Sequence, residues 1–277
     1  MIYNRTYFDV TAFKIQRSDI SYNQLTGIIS PLIGYTLTFR YIDFSENSFS
    51  GPVPASGNVG WPLLEFFGGS GNRFTGTIPL GFSSSLSSFD LSNNLLTGGI
   101  PVEFLRKFSN LEFLALSNNN LGGRISEVVG NLGALRELHL NNCSLTGSIP
   151  ENLSGLTNLE SIALNDNRID GIIPTSIGSL LILKAIELQN NKLFKSLPSE
   201  LGMLDLLTLL DVANNNLTGS LPASLGMLTK LEEFFIAGNC FVGEVPLGIC
   251  ENLHQVTTTM VGCVLACGCC FDICPIQ

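Results

Sequence analysis

An asparagine returns along this chain at an almost fixed interval, and that interval limits the possible folds more than any other feature of the sequence. Residues 89–101 (FDLSNNLLTGGIP), 138–150 (LHLNNCSLTGSIP), 162–174 (IALNDNRIDGIIP) and 210–222 (LDVANNNLTGSLP) repeat one phrase. Aligned on it, ten units fall at Asn23, Asn47, Asn72, Asn94, Asn119, Cys143, Asn167, Asn191, Asn215 and Asn239. The successive spacings are 24, 25, 22 and 25, then 24 five times, with Leu, Gly and Pro held in phase. Such a chain is an array whose units pack on their neighbours, so its 277 residues need not divide into globular domains.

Each place in the unit has a physical task. Apolar residues five and three before the asparagine, such as Leu138 and Leu140, alternate with polar ones, the pattern of a short strand with one buried face. A strand that short must pair with its equivalent in the next coil. The result is a long parallel sheet with about 4.8 Å per coil and an array roughly 45–50 Å long. The asparagine amide has donors and an acceptor for backbone groups that would otherwise be buried unpaired. Cys143, small and with a weak S–H donor, is a structural stand-in. After the turn, Leu-Thr-Gly supplies a buried Leu and a Gly for tight backbone, and Pro opens a return segment whose Leu spacing suits 3₁₀ or loose helical turns.

These LxLxxNxLxGxIP cores resemble the plant-type, 24-residue subclass of leucine-rich repeat proteins over about residues 16–249. The resemblance implies an α/β solenoid, a right-handed horseshoe or shallow superhelix. Its parallel β-sheet lies on the concave face and short 3₁₀ or helical segments on the convex face. It also implies extracellular or cell-surface recognition of a partner, as a receptor-like or secreted protein.

Residues 1–15 are then an irregular N-terminal segment. The family opens with a cysteine-paired cap that this sequence lacks, so the chain reads as truncated at its front, where a signal peptide would lie. The front units also depart most from the pattern. Ser18 stands where the strand wants an apolar residue, Phe67 and Gly69 hold the strand places of the third unit, and PASGNVGWP (54–62) replaces a Leu-rich return. Looser coils are expected before Asn94 and the best-formed ones after Asn119.

Residues 250–277 form a Cys-rich tail containing Cys250, Cys263, Cys267, Cys269, Cys270 and Cys274, with fifteen conceivable pairings. A disulfide-bonded cap over the last coil is the leading reading. A zinc site, which lacks two clean CxxC knuckles, and S-acylated cysteines remain as alternatives. The tail resembles the Cys-rich ends of secreted leucine-rich repeat proteins of diatoms. Cys240 is close enough to join such a cap. Cys143, four coils away and hence about 19 Å, is not.

Composition excludes more than it identifies. A formal net charge of −9 argues against a nucleic-acid partner and points to a basic one, or simply to solubility. No apolar run reaches the length of a membrane span. No nucleophile, metal or phosphate motif appears, so neither enzyme activity nor a cofactor is expected. The two histidines, His139 and His254, have no triad around them. Sequons at Asn4, Asn142, Asn152 and Asn216 offer N-glycosylation, least of all at Asn142 beside a strand.

The register fixes which residues face the concave side, because side chains alternate along a strand. Two columns result, and they nominate Tyr41, Asp43, Phe66, Asp90, Phe113, Glu137, His139, Glu187, Leu209, Asp211, Glu233 and Phe235 as the ligand-binding set. Aromatic residues interleaved with acids suit a protein or peptide ligand, or a glycan. Glu187 and Asp211, about 5 Å apart on adjacent strands, match the spacing of a retaining glycosidase pair, but an open sheet provides no cleft for one. A structural or ice-binding surface is the alternative, resting on the partly aligned Thr26, Thr75, Thr97, Thr146 and Thr218.

Overall fold

The computed structural model describes residues 15–30, 33, 37–54 and 61–249. The six tail cysteines from Cys250 to Cys274, His254, Asn4 and most of the N-terminal segment lie outside the described residues. Ten three-residue strands form one parallel sheet in chain order, from Arg17–Asp19 through Phe113–Ala115 to Glu233–Phe235. Each residue pairs with the one a full unit later: Asp43 with Gly68, Ala163 with Glu187, and Glu187 with Asp211. The fold is a leucine-rich repeat solenoid.

The asparagine column holds the coils together. Nδ2 of Asn215 donates to the carbonyls of Val212 and Ala213 in its own coil and of Leu188 in the coil before, while its Oδ1 accepts the Leu193 N–H at 3.0 Å. Asn72, Asn94, Asn119, Asn167 and Asn239 repeat this pattern and are buried, so each amide satisfies backbone groups that water cannot reach. Asn47 and Asn191 do the same while half-buried. Cys143 is fully buried and gives its thiol to Leu116 O at 3.2 Å and Asn141 O at 3.5 Å; burial pushes its pKa up to about 12.

The residue just before the column sits at positive φ in all ten coils, from Tyr22 (52°) to Gly238 (69°). Asn, Asp and Gly tolerate that conformation best, and they fill eight of the ten places. On the other side of the column, the Leu-Thr-Gly segment is more than a turn. It forms a second, lateral set of short parallel strands in three pieces, from Thr26–Ile28 to Leu95–Leu96, from Thr146–Ser148 to Arg168–Asp170, and from Phe194–Lys195 to Cys240–Phe241. The Gly at its bend has positive φ in nine coils, and Lys195 takes that place in the eighth with φ 67°.

On the convex side Pro101 precedes an α-helix, Val102–Lys107. Five-residue 3₁₀ helices follow at Glu127–Asn131, Glu151–Gly155, Thr175–Ser179, Ser199–Met203 and Ala223–Met227. Proline opens four of these, its fixed φ of −60 to −70° suiting the position and its carbonyl accepting the first 3₁₀ bond. Glycine within them is a matter of space: a Cβ on Gly178 would lie 2.6 Å from Glu200 O of the next coil.

The described residues before Asn94 carry no such helix of five residues, in line with the irregular sequence there, yet their core is not loose. Phe67 packs against Phe44, Trp61, Phe82 and Phe89 with ring centroids 4.8–6.0 Å apart, and Trp61 donates Nε1–H to Ile33 O. Gly69 is needed among these rings, since a Cβ would stand 2.9 Å from Leu91 and 3.3 Å from both Phe67 and Phe74. Aromatic bulk thus replaces the missing leucines.

Candidate functional site

The concave sheet presents three columns of side chains. The first two hold the twelve nominated residues, and most of these are half-buried. The third, two residues before the asparagine column, runs Ser45, Ser70, Ser92, Ser117, Asn141, Asn165, Gln189 and Ala213. Sequence reasoning passed over it, although the same alternation points to it.

Three groupings emerge along the sheet. At the front, Tyr41 and Phe66 stack with centroids 4.3 Å apart and planes 7° from parallel, and the Arg17 guanidinium lies 3.7 Å over the Tyr41 ring. In the middle, His139 meets Phe113 edge-on at 5.6 Å and pairs with Glu137 at 3.4 Å. Toward the end, Glu187, Asp211 and Phe235 share one column while Leu209 and Glu233 share the adjoining one.

The aspartates differ in what they have left to offer. Asp43 Oδ1 accepts the Ser45 N–H, and Asp90 Oδ1 accepts both the N–H and the hydroxyl of Ser92. These two therefore brace the strand exit as well as face solvent. Asp211 does the same through Ala213 N–H at 2.9 Å, keeping Oδ2 free. Burial raises the Asp211 pKa, the Ala213 bond offsets part of this, and the nearby charges of Glu187, Asp166 and Glu233 raise it further. Neither Glu187, Asp211 nor Glu233 has a cationic partner within 4 Å among the described residues. An incoming ammonium or guanidinium would relieve that repulsion.

Beside the strands, the positive-φ residues form a further ladder. Asn142 donates to Asn118 and Asn118 to Asn93, each at 2.9 Å; Asn214 donates to Asn190 at 2.8 Å and Asn190 to Asp166 at 2.7 Å. The doubled Asn-Asn and Asp-Asn pairs in the sequence were the signal for it.

On the lateral strands the row through the threonines reads Thr26, Ser50, Thr75 and Thr97, then Gly122, Thr146, Asp170, Phe194, Thr218 and Val242. It is neither uniform nor uncharged.

Comparison with known proteins agrees with the fold. Residues 133–193 match a leucine-rich repeat family model, and residues 85–106, 110–132 and 206–228 match a second one. The described residues form a leucine-rich repeat solenoid. It is similar to Receptor-like protein 54 of Arabidopsis thaliana, with 37% identity over 114 residues covering 40% of this chain and 14% of the relative. It is also similar to the Arabidopsis receptor kinase HAESA, solved in complex with the peptide hormone IDA and the co-receptor SERK1. There the TM-score is 0.72 at 30% identity, covering 88% of this chain and 45% of that one. A plant ice-binding protein gives a TM-score of 0.72 at 25% identity, covering 90% of this chain and 83% of that one. The chain thus spans less than half the length of the two receptor relatives. No helix among the described residues is long and apolar enough to cross a membrane.

Proposed function

We propose that residues 16–249 are a non-catalytic recognition module, receptor-like or secreted, that holds a peptide or protein segment along the concave sheet. The observation that supports this most is the unpaired acidic group of Glu187, Asp211 and Glu233 beside Leu209 and Phe235. It offers charge and apolar contact together, within reach of one side chain and its neighbours. The ligand this favours carries Lys or Arg next to an apolar residue. The solved relative with a bound peptide hormone supports the same use of the fold. In this reading residues 250–277 form a disulfide-bonded cap, and the protein works outside the cell or at its surface. N-glycans then fall on the exposed Asn152 and Asn216 rather than on Asn142, whose Nδ2 already donates to Asn118.

The test is selection of peptides from a random display library on the full chain. Enriched sequences should carry a basic residue next to an apolar one. They should lose at least tenfold in affinity, about 1.4 kcal/mol, against the Glu187→Lys, Asp211→Lys double variant. Equal affinity for that variant would remove the concave site.

A further inference from the structure

The lateral strands break twice, and the longer break, from Leu96 to Thr146, passes Cys143, the one column position that is not asparagine. Strand Leu95–Leu96 closes the first lateral piece and the next begins at Thr146; between them the coils are joined by an isolated bridge of Arg124 to Thr146 and by single backbone bonds, among them Asn120 N–H to Leu96 O and Gly122 N–H to Cys143 O. Two extra glycines lie in this break, in the two coils before the one whose column residue is Cys143. Gly98 and Gly123 hold the usual bend, but Gly99 and Gly122 adopt positive φ as well, at 76° and 65°. Beside the break lies an open, shallow depression of about 460 Å³.

The lining is unusual in a protein whose concave face is acidic, because it contains no charge. Leu95, Thr97, Asn118, Asn120, Asn142 and Ser144 supply it, together with the column residues Asn94 and Asn119. Asn94 and Asn119 spend their amides on backbone groups. Asn120 and Ser144 make no side-chain hydrogen bond among the described residues, and Asn142 keeps its Oδ1 free after donating to Asn118. Asn120 and Ser144 hold equivalent places in adjacent coils, hence about 5 Å apart, with Leu95 in the same row and 58% exposed.

We propose that this notch binds a neutral oligosaccharide. A planar amide can donate to one hydroxyl and accept from its neighbour, and a second acceptor and a hydroxyl lie one coil away. Leu95 offers an apolar surface for the C–H face of a sugar ring. A phosphate, carboxylate or ammonium ligand finds no counter-charge in the lining, and a purely apolar ligand would leave the free amides unpaired. The shallow, open form suits a few residues of an extended chain. The site lies off the concave sheet, so it stands or falls independently of peptide binding there.

The experiment is calorimetric titration of the full chain with laminarihexaose, cellopentaose and chitopentaose, with hexagalacturonate as the charged comparator. At least one neutral sugar should bind with a Kd of about 1 mM or tighter. Asn120→Ala and Ser144→Ala should each weaken it about fivefold, the worth of one hydrogen bond. Both positions are surface-facing, and unchanged circular dichroism and Tm will show that the fold is intact. Glu187→Lys should leave sugar binding unaltered. The proposal is overturned if none of the three neutral sugars binds, if hexagalacturonate binds as tightly, or if both variants bind like the wild type.

Discussion

Replacing Cys143 with asparagine should make the protein more stable. In eight coils the column asparagine accepts, through Oδ1, the backbone N–H two residues after the preceding column position: Leu96 N–H to Asn119 and Leu145 N–H to Asn167, both at 2.9 Å, are examples. The N–H opposite Cys143 belongs to Leu121, which is buried and has no acceptor among the described residues. An unsatisfied buried donor costs about 1–3 kcal/mol. The asparagine would also exchange two weak thiol contacts, at 3.2 and 3.5 Å, for amide donors. Asparagine must be desolvated and is larger than cysteine, but the neighbouring coils hold it without distortion. A net gain of about 1–2 kcal/mol follows, or roughly 2–8 °C in Tm at this chain length. The reverse change, Asn167→Cys, should cost more, because Asn167 Oδ1 accepts from both Cys143 N–H and Leu145 N–H. Urea and thermal unfolding followed by circular dichroism give both values. If C143N is no more stable than wild type while N167C is destabilised, backbone satisfaction is not what the column position supplies.

Lys195 occupies a place where nine coils have a positive-φ glycine, so Lys195→Gly should stabilise by about 1 kcal/mol, despite the flexibility it adds to the unfolded chain. Asp211→Asn should raise stability at pH 7. Its folded pKa lies above the unfolded one, so the ionised side chain costs stability above that folded pKa, and the cost vanishes once pH falls below the unfolded value. The amide Oδ1 can still accept from Ala213, so the gain should be seen in melts at pH 7 and be absent at pH 3, alongside weaker peptide binding. The lateral row broken by Gly122, Asp170, Phe194 and Val242 should give no thermal hysteresis. A measurable gap between freezing and melting points would establish an ice-binding face.

The fold was legible because the asparagine spacing carries its own physics: a buried amide bonding forward and backward forces one register, and the register names every inward and outward residue. The lateral strands were harder to read. A positive-φ glycine looks like a turn in sequence, and only the neighbouring coil shows that the residues before it, such as Asn216 and Thr218, pair as a strand. The aromatic core was hidden for a different reason. Periodicity reports which positions are apolar, whereas the fit of Phe67, Phe74 and Gly69 depends on the volumes of Phe44, Phe89 and Leu91 in the coils on either side. At the site, the outward direction of Asp43, Asp90 and Asp211 followed from the register. Their bonds to the backbone two residues on did not, because that geometry depends on how each strand exits.

The most direct test of the concave site is carboxyl footprinting by mass spectrometry, with and without a saturating selected peptide. Bound peptide should shield Glu187, Asp211 and Glu233 while Glu127, Glu151 and Glu200 on the convex side label at unchanged rates. Shielding confined to the convex carboxylates, with those three still labelled, would contradict the account.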